Sequence, residues 1–236
     1  MLVILLSAIF PVIIFLFFIY RKDTEKEPPI LLVKCFLWGC VINLPIILIE
    51  LVLDHLNIFN SALLHSFYNA FVVASFVEEG FKFLCLYWII WKRKEFNQYF
   101  DGIIYAVFVS LGFAFIENIG YIFQNGFGAA IMRAILSVPG HGLFGVIMGY
   151  FFSLARFSEI EKKWKFLWLS FLIPFLFHGL YDFLLFYIEK SGDNIGFVLL
   201  LFAMFVIVMV FLWHYGIRYV KKHYANDKEN NLKYKT

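Results

Sequence analysis

Three ionisable side chains within five residues, Glu78-Glu79-Gly80-Phe81-Lys82, stand in the middle of a stretch from about Ala62 to Trp91 that is otherwise almost entirely apolar. A charged side chain at the centre of a membrane helix costs roughly 3 kcal/mol, so such residues face a protein interior or a wet cavity and mark a functional site. Glu78 and Lys82 are four apart and Glu79 and Lys82 three apart, which puts the ammonium within reach of either carboxylate on one helical face and keeps at least one ionised. Glu117-Asn118, His141, and His178 with Asp182 four residues on complete the inventory. At that spacing Asp182 can hold one ring nitrogen of His178 and leave the other free to act. Paired carboxylates with histidine can activate water for hydrolysis, one glutamate serving as general base and a neighbour stabilising the oxyanion. The same groups can relay protons in a transporter.

Composition decides what positions them. The chain is 62% hydrophobic and 16% charged, with thirty-two Phe, far too apolar for a soluble domain of 236 residues. The expected fold is all-α, a polytopic transmembrane bundle. Apolar runs long enough to cross roughly 30 Å of hydrocarbon give about seven spans, near 2–20, 30–53, 62–91, 100–124, 130–155, 165–189 and 195–219. The first lacks a preceding basic residue and an Ala-x-Ala-like end, and is read as a retained helix bent at Pro11. Segments 21–29, 92–99, 156–164 and 218–236 hold most Lys and Arg, whereas 54–61, 125–133 and 190–194 hold only Arg133 and Lys190. By the positive-inside rule the N-terminus lies outside and the C-terminus in the cytosol.

The whole chain, 1–236, reads as one domain, with the chemistry-bearing helices at about 62–189 and a polar cytosolic tail, 221–236, expected to be disordered. Cys35, Cys40 and Cys85 fall inside apolar spans as small hydrophobes and imply no disulfide framework. The modest net charge of +3 belongs to loops and gives no basis for a nucleic-acid partner.

With this topology the polar residues of the third to sixth spans run from the bilayer midplane into its outer half, which implies a single polar cavity open to the outside. Pro139 just before His141 and Pro174 one turn before His178 should kink their helices near the site. Gly142, Gly145 and Gly149 suit close helix packing. Plainer readings cover other residues. Glu50, Asp54, His55, His65 and Asn69 lie near the outer boundary and are read as interfacial, and Asn43 beside Pro45 as satisfying local backbone. A structural ion pair is the plain alternative for Glu78, Glu79 and Lys82. No repeat between the two halves supports a transporter, so hydrolysis leads.

The chain resembles the PrsW family of intramembrane proteases, within the larger group that includes the CAAX prenyl endopeptidases. The resemblance rests on Asp23 with Glu27-Pro28, Glu78-Glu79-x-x-Lys82, Asp101-Gly102-Ile103 and Gly112-Phe113-Ala114-x-x-Glu117-Asn118. It continues through His141 with Gly145 and Gly149, Ala155-Arg156-Phe157-Ser158, and His178-Gly179-x-Tyr181-Asp182. The CAAX endopeptidases typically carry an arginine one position after Lys82, which this chain lacks, so the PrsW branch is favoured.

The resemblance implies a protease of the bacterial cytoplasmic membrane that makes the site-1 cut in a single-pass anti-sigma factor on its extracytoplasmic side, starting the release of a sigma factor under stress. Glu78 and Glu79 would be the catalytic glutamates and His178 a required partner, with Glu117 and His141 completing the site and Lys82, Asn118 and Asp182 supporting it. A CAAX-type endopeptidase and a proton-coupled transporter are the alternatives. A metal-free glutamate mechanism with no cofactor is preferred, because His-Glu-x-x-His is absent and Lys82 makes a second cation less welcome. If zinc is used, Glu117, His141 and His178 are the expected ligands.

Overall fold

The computed structural model describes residues 2–192 and 194–233, with side chains described for these apart from 2–8, 127, 129, 130 and 230–233. Among the described residues the chain is helical apart from short connections and has no strand, in agreement with the all-α expectation. The helices are α1 (Leu2–Lys22), α2 (Pro29–Val41), α3 (Asn43–His55), α4 (Ala62–Tyr68), α5 (Phe76–Ile90), α6 (Tyr99–Ile135), α7 (Ser137–Phe157), α8 (Ile160–Lys190) and α9 (Ile195–Lys233). A π-helical segment, Asn69–Ser75, joins α4 to α5 without a break. Among the described residues five stretches are long and apolar enough to cross a bilayer: Pro29–His55, Tyr99–Gly126, Ile131–Phe157, Ile160–Lys190 and Ile195–Glu229. α1 and the continuous rod from Ala62 to Ile90 stand beside them, the latter carrying the three charges of the Glu-Glu-x-x-Lys motif.

α6 and α7 form the buried centre, and the others lie around it with apolar faces outward. Glycine sets how closely they pack. A side chain at Gly149 would run into the backbone of Gly102 and Ile103, and one at Gly112 into the Phe36 carbonyl, so α6 meets α7 and α2 backbone to backbone. Gly145 also faces α6, whereas Gly142 accommodates the Phe15 ring of α1. Asn43 donates to the carbonyls of Gly39 and Cys40, at the junction of α2 and α3, and to that of Phe113 on α6.

Two expectations about the chain's course change. The connection 125–133 is not a loop. α6 breaks at Gly126, whose φ of 76° and ψ of −164° are open essentially to glycine alone, and resumes as a helical arm to Ile135. α7 begins after a second break at Leu136, three residues before Pro139. The tail is not disordered over its described length, because α9 continues to Lys233. His223 donates from Nε2 to the Tyr150 carbonyl at 3.0 Å. Asp227, 2% exposed, accepts the amides of Tyr99 and Phe100 at 2.9 and 2.7 Å, satisfying orphan donors at the start of α6. Residues 234–236 of the tail lie outside the described residues.

The same end of the bundle holds a second group of acids. Asp101 accepts from the amides of Asn97 and Gln98 as part of a capping box. Asp23 accepts from the amides of Glu25 and Glu27, and Glu27 accepts from the Tyr105 hydroxyl. Burial pushes the Asp23 and Glu27 carboxyls above their ordinary range. These motif residues serve helix starts and turns.

Candidate active site

The π-helical segment adds one residue per turn just ahead of Glu78 and rotates the following face of α5, a device frequent at functional sites. The segment is fastened to α8 by Ser75, whose hydroxyl donates to the Phe175 carbonyl at 3.0 Å. α5 thereby aims Glu78, Glu79 and Lys82 at α7 and α8. Glu79 and Lys82 are 0% exposed and Glu78 is 5% exposed.

Lys82 is the centre of the cluster. Its ammonium has three protons and no acceptor, and it meets three acceptors: Glu78 Oε2 at 3.0 Å, Glu79 Oε1 at 2.8 Å and His141 Nδ1 at 3.2 Å. The Phe113 ring supports it from one side, 4.0 Å from the ring centre. Because Lys82 can only donate, Nδ1 of His141 is bare, and the proton of its ring sits on Nε2, donated to Glu117 Oε2 at 2.8 Å.

His178 is held differently. Nδ1 lies 3.0 Å from Glu79 Oε1 and Nε2 lies 3.1 Å from Asp182 Oδ2. Both nitrogens face carboxylate oxygens, which is the arrangement of an imidazolium. Asp182 holds one nitrogen as the spacing predicted, but the other is not free, because Glu79 takes it. Phe144 stacks on the His178 ring at 4.8 Å between centres.

Sequence reasoning passed over Arg133. The arm beyond Gly126 brings its guanidinium back over the site, where NH2 lies 2.7 Å from Glu117 Oε2 and Nε donates to Asn118 Oδ1 at 3.0 Å. Its charge lies over the Tyr121 ring at 4.1 Å. A basic residue in an otherwise lysine-poor connection was the available signal. Glu50, read from its position as interfacial, also lines the cavity beside the site, together with Asn43 and Asn69. Asp54, His55 and His65 are not among the cavity-lining residues.

The cavity has a volume of about 630 Å³. Glu50, Glu78, Glu117, Arg133, His141, His178 and Asp182 are on its wall, whereas Glu79 and Lys82 are behind it. This separates the two glutamates. Glu78 gives one oxygen to Lys82 and presents the residue to the cavity; Glu79 binds both Lys82 and His178, and its Oε2 is buried without a partner. Glu50, Glu78, Glu79, Glu117 and Asp182 outnumber Lys82, Arg133 and an imidazolium at His178, so negative charge remains for the carboxylates at the cavity wall.

One ligand atom each from Glu78, Glu79, His141 and His178 lie within 4.8 Å of one another, a combination of carboxylate and imidazole that suits zinc. Lys82 Nζ, however, stands 2.8 to 3.2 Å from three of these four residues, in the space a divalent ion would need. With the ammonium in place the set does not fit a metal. Glu117 stands outside this group, taken by Arg133 and His141.

Residues 27–213 match the family described as PrsW family intramembrane metalloprotease. The protease PrsW of Geobacillus kaustophilus is 38% identical over 225 residues, 94% of this chain and 93% of its own length. That of Bacillus subtilis is 38% identical over 223 residues, 94% and 96% of the two chains. That of Clostridioides difficile is 38% identical over 232 residues, 95% and 92%. No solved structure matches the chain.

Proposed function

Since the chain belongs to the PrsW family, we propose that it is an intramembrane peptidase of the glutamic type, and that Glu78 is its general base. One observation carries the reading: of the two buried glutamates, Glu78 alone lines the cavity, with one oxygen not engaged by Lys82. In the proposed reaction Glu78 takes a proton from water, and the hydroxide attacks the scissile carbonyl. Lys82 holds Glu78 in place and keeps it ionised. Arg133 and His178, both on the cavity wall, oppose the charge that develops on the carbonyl oxygen. Glu78 passes the proton it took from water to the departing amine and is ionised again, while His178, held as an imidazolium between Glu79 and Asp182, contributes its charge at the cavity wall. Water exclusion comes from the surrounding rings, Phe113 and Phe144 among them.

The proposed substrate is a single-pass anti-sigma factor, cut at its extracytoplasmic side as the site-1 step of sigma factor release, in a bacterial cytoplasmic membrane. The proposed topology has seven crossings with the N-terminus outside. The distribution of lysine and arginine supports it, since they gather at the ends where α5 meets α6 and α7 meets α8. The cavity lies toward the opposite end, beside the first two turns of α3, the C-terminal half of α8 and the part of α6 just before Gly126, in keeping with an extracytoplasmic cut. A catalytic metal is not part of this reading, given the position of Lys82.

Co-expression with a doubly tagged single-pass anti-sigma factor tests it, using wild type and Glu78→Gln with insertion of both verified. A product truncated on the extracytoplasmic side with wild type alone is expected. Absence of product with either, across several anti-sigma factors, overturns the substrate. Inhibition by a membrane-permeant chelator, reversed by added zinc, overturns the metal-free mechanism.

A further inference from the structure

A groove of about 460 Å³ lies between α2 and the end of α5, at the lysine-rich end of the bundle and away from the cavity. Lys34, Trp38, Trp88, Ile89, Lys92 and Arg93 line it. Lys34 and Trp38 are one helical turn apart on α2, and Lys92 follows four residues after Trp88, just past the end of α5, so each side contributes an indole with a cation beyond it. The two indoles meet edge to face, 5.2 Å between centres and at 89°. They are not core: Trp38 is 40% and Trp88 72% exposed.

We propose that this groove binds an anionic glycerophospholipid, its phosphate among Lys34, Lys92 and Arg93 and its acyl chains along Trp38 and Trp88. Charge complementarity identifies the occupant, because three cations and no carboxylate line the groove. The carbonyl end of α5 opposes an anion with the equivalent of only about half a charge, far less than the three cations supply. Arg93 donates from Nε to the Ile89 carbonyl at 3.3 Å, which orients the guanidinium and leaves its terminal nitrogens for a phosphate. Exposed indoles beside lysine and arginine mark the level of the headgroups, where an anionic lipid presents both of the chemistries lining the groove. A zwitterionic lipid would leave the three cations without net compensation, and inorganic phosphate would leave the indoles uncovered.

The test uses the full-length protein in mixed micelles and reads quenching of Trp88 fluorescence, obtained as the difference between wild type and Trp88→Phe. Phosphatidylglycerol and phosphatidylcholine with brominated acyl chains are compared at equal mole fraction. Phosphatidylglycerol is expected to quench more strongly, with the preference falling about fivefold for each cation removed among Lys34→Gln, Lys92→Gln and Arg93→Gln at low salt, and declining as salt is raised. The single variants keep the test open if the triple variant does not fold, as judged by its helical circular dichroism. Equal quenching by the two lipids, or a preference that survives loss of the cations, overturns the proposal. So does loss of the preference on adding inorganic phosphate at the lipid's own concentration, which would make the groove a phosphate site.

Discussion

Nζ of Lys82 lies 3.2 Å from Nδ1 of His141, and this contact fixes the tautomer of the histidine: the ring can only accept there, so its proton points to Glu117. From it follows an ordered line of groups, Glu117, His141, Lys82, Glu79, His178 and Asp182, in which each neighbour has a defined donor and acceptor, with Arg133 ion-paired to Glu117 at its head. Lys82→Met should therefore do more than remove a charge. It leaves two buried carboxylates without their cation, and breaking a buried pair in this way costs about 3 to 5 kcal/mol. A clear fall in the thermal unfolding temperature in detergent is expected, together with loss of cleavage; an active Lys82→Met of normal stability would refute the central role of the ammonium.

Glu78 and Glu79 should separate when each is replaced by glutamine. Glu78→Gln is expected to fold with near-normal stability and to lose roughly 100-fold or more in rate, the usual contribution of a general base. Glu79→Gln removes the charge that holds both Lys82 and His178, so stability and activity should fall together. Unfolding curves beside cleavage rates distinguish the two, and an unstable Glu78→Gln with a stable, inactive Glu79→Gln would reverse the assignment.

Arg133 acts on His141 through Glu117 as a positioning residue and also faces the cavity. Arg133→Gln is expected to lower kcat about 10-fold or more while leaving the helical content intact, since one charged donor to a developing anion is lost. Lys at this position should restore part of the rate but not the paired contacts to Glu117 and Asn118, which need a guanidinium. A KM change without a kcat change would place Arg133 in substrate binding alone.

Asp23 and Glu27 predict a pH dependence that has nothing to do with catalysis. Burial raises both carboxyls above their ordinary values of 3.8 and 4.5, so the folded state holds their protons more tightly than the unfolded chain does. Stability from this source is complete below those ordinary values and is lost as pH rises through the raised ones. Thermal unfolding of the detergent-solubilised protein should show a loss as pH rises above the ordinary carboxyl range, smaller in Glu27→Gln, which keeps an acceptor for the Tyr105 hydroxyl. An unchanged pH profile in that variant would exclude Glu27 as a contributor.

The helical class, the course of five long apolar spans and most residues of the polar cluster were legible in the amino-acid sequence. Apolar length and ionisable residues inside it are local properties, and the solvent penalty for exposing backbone or charge in hydrocarbon leaves few alternatives. Lys82 between Glu78 and Glu79 follows from helical spacing alone. What tertiary structure decided is everything that depends on which faces meet. The π-helical turn before Glu78 shifts the face of α5 and the break at Gly126 turns the helix, neither with a strong sequence signal, and the second brings Arg133 onto Glu117. Whether Glu78 or Glu79 sees the cavity, and whether the second nitrogen of His178 is free, turned on the packing of α5 against α7 and α8. The helical end of α9 escaped a reading by composition for the same reason. Its polar residues look solvated one at a time, and only docking against the start of α6 gives Asp227 two amides to cap.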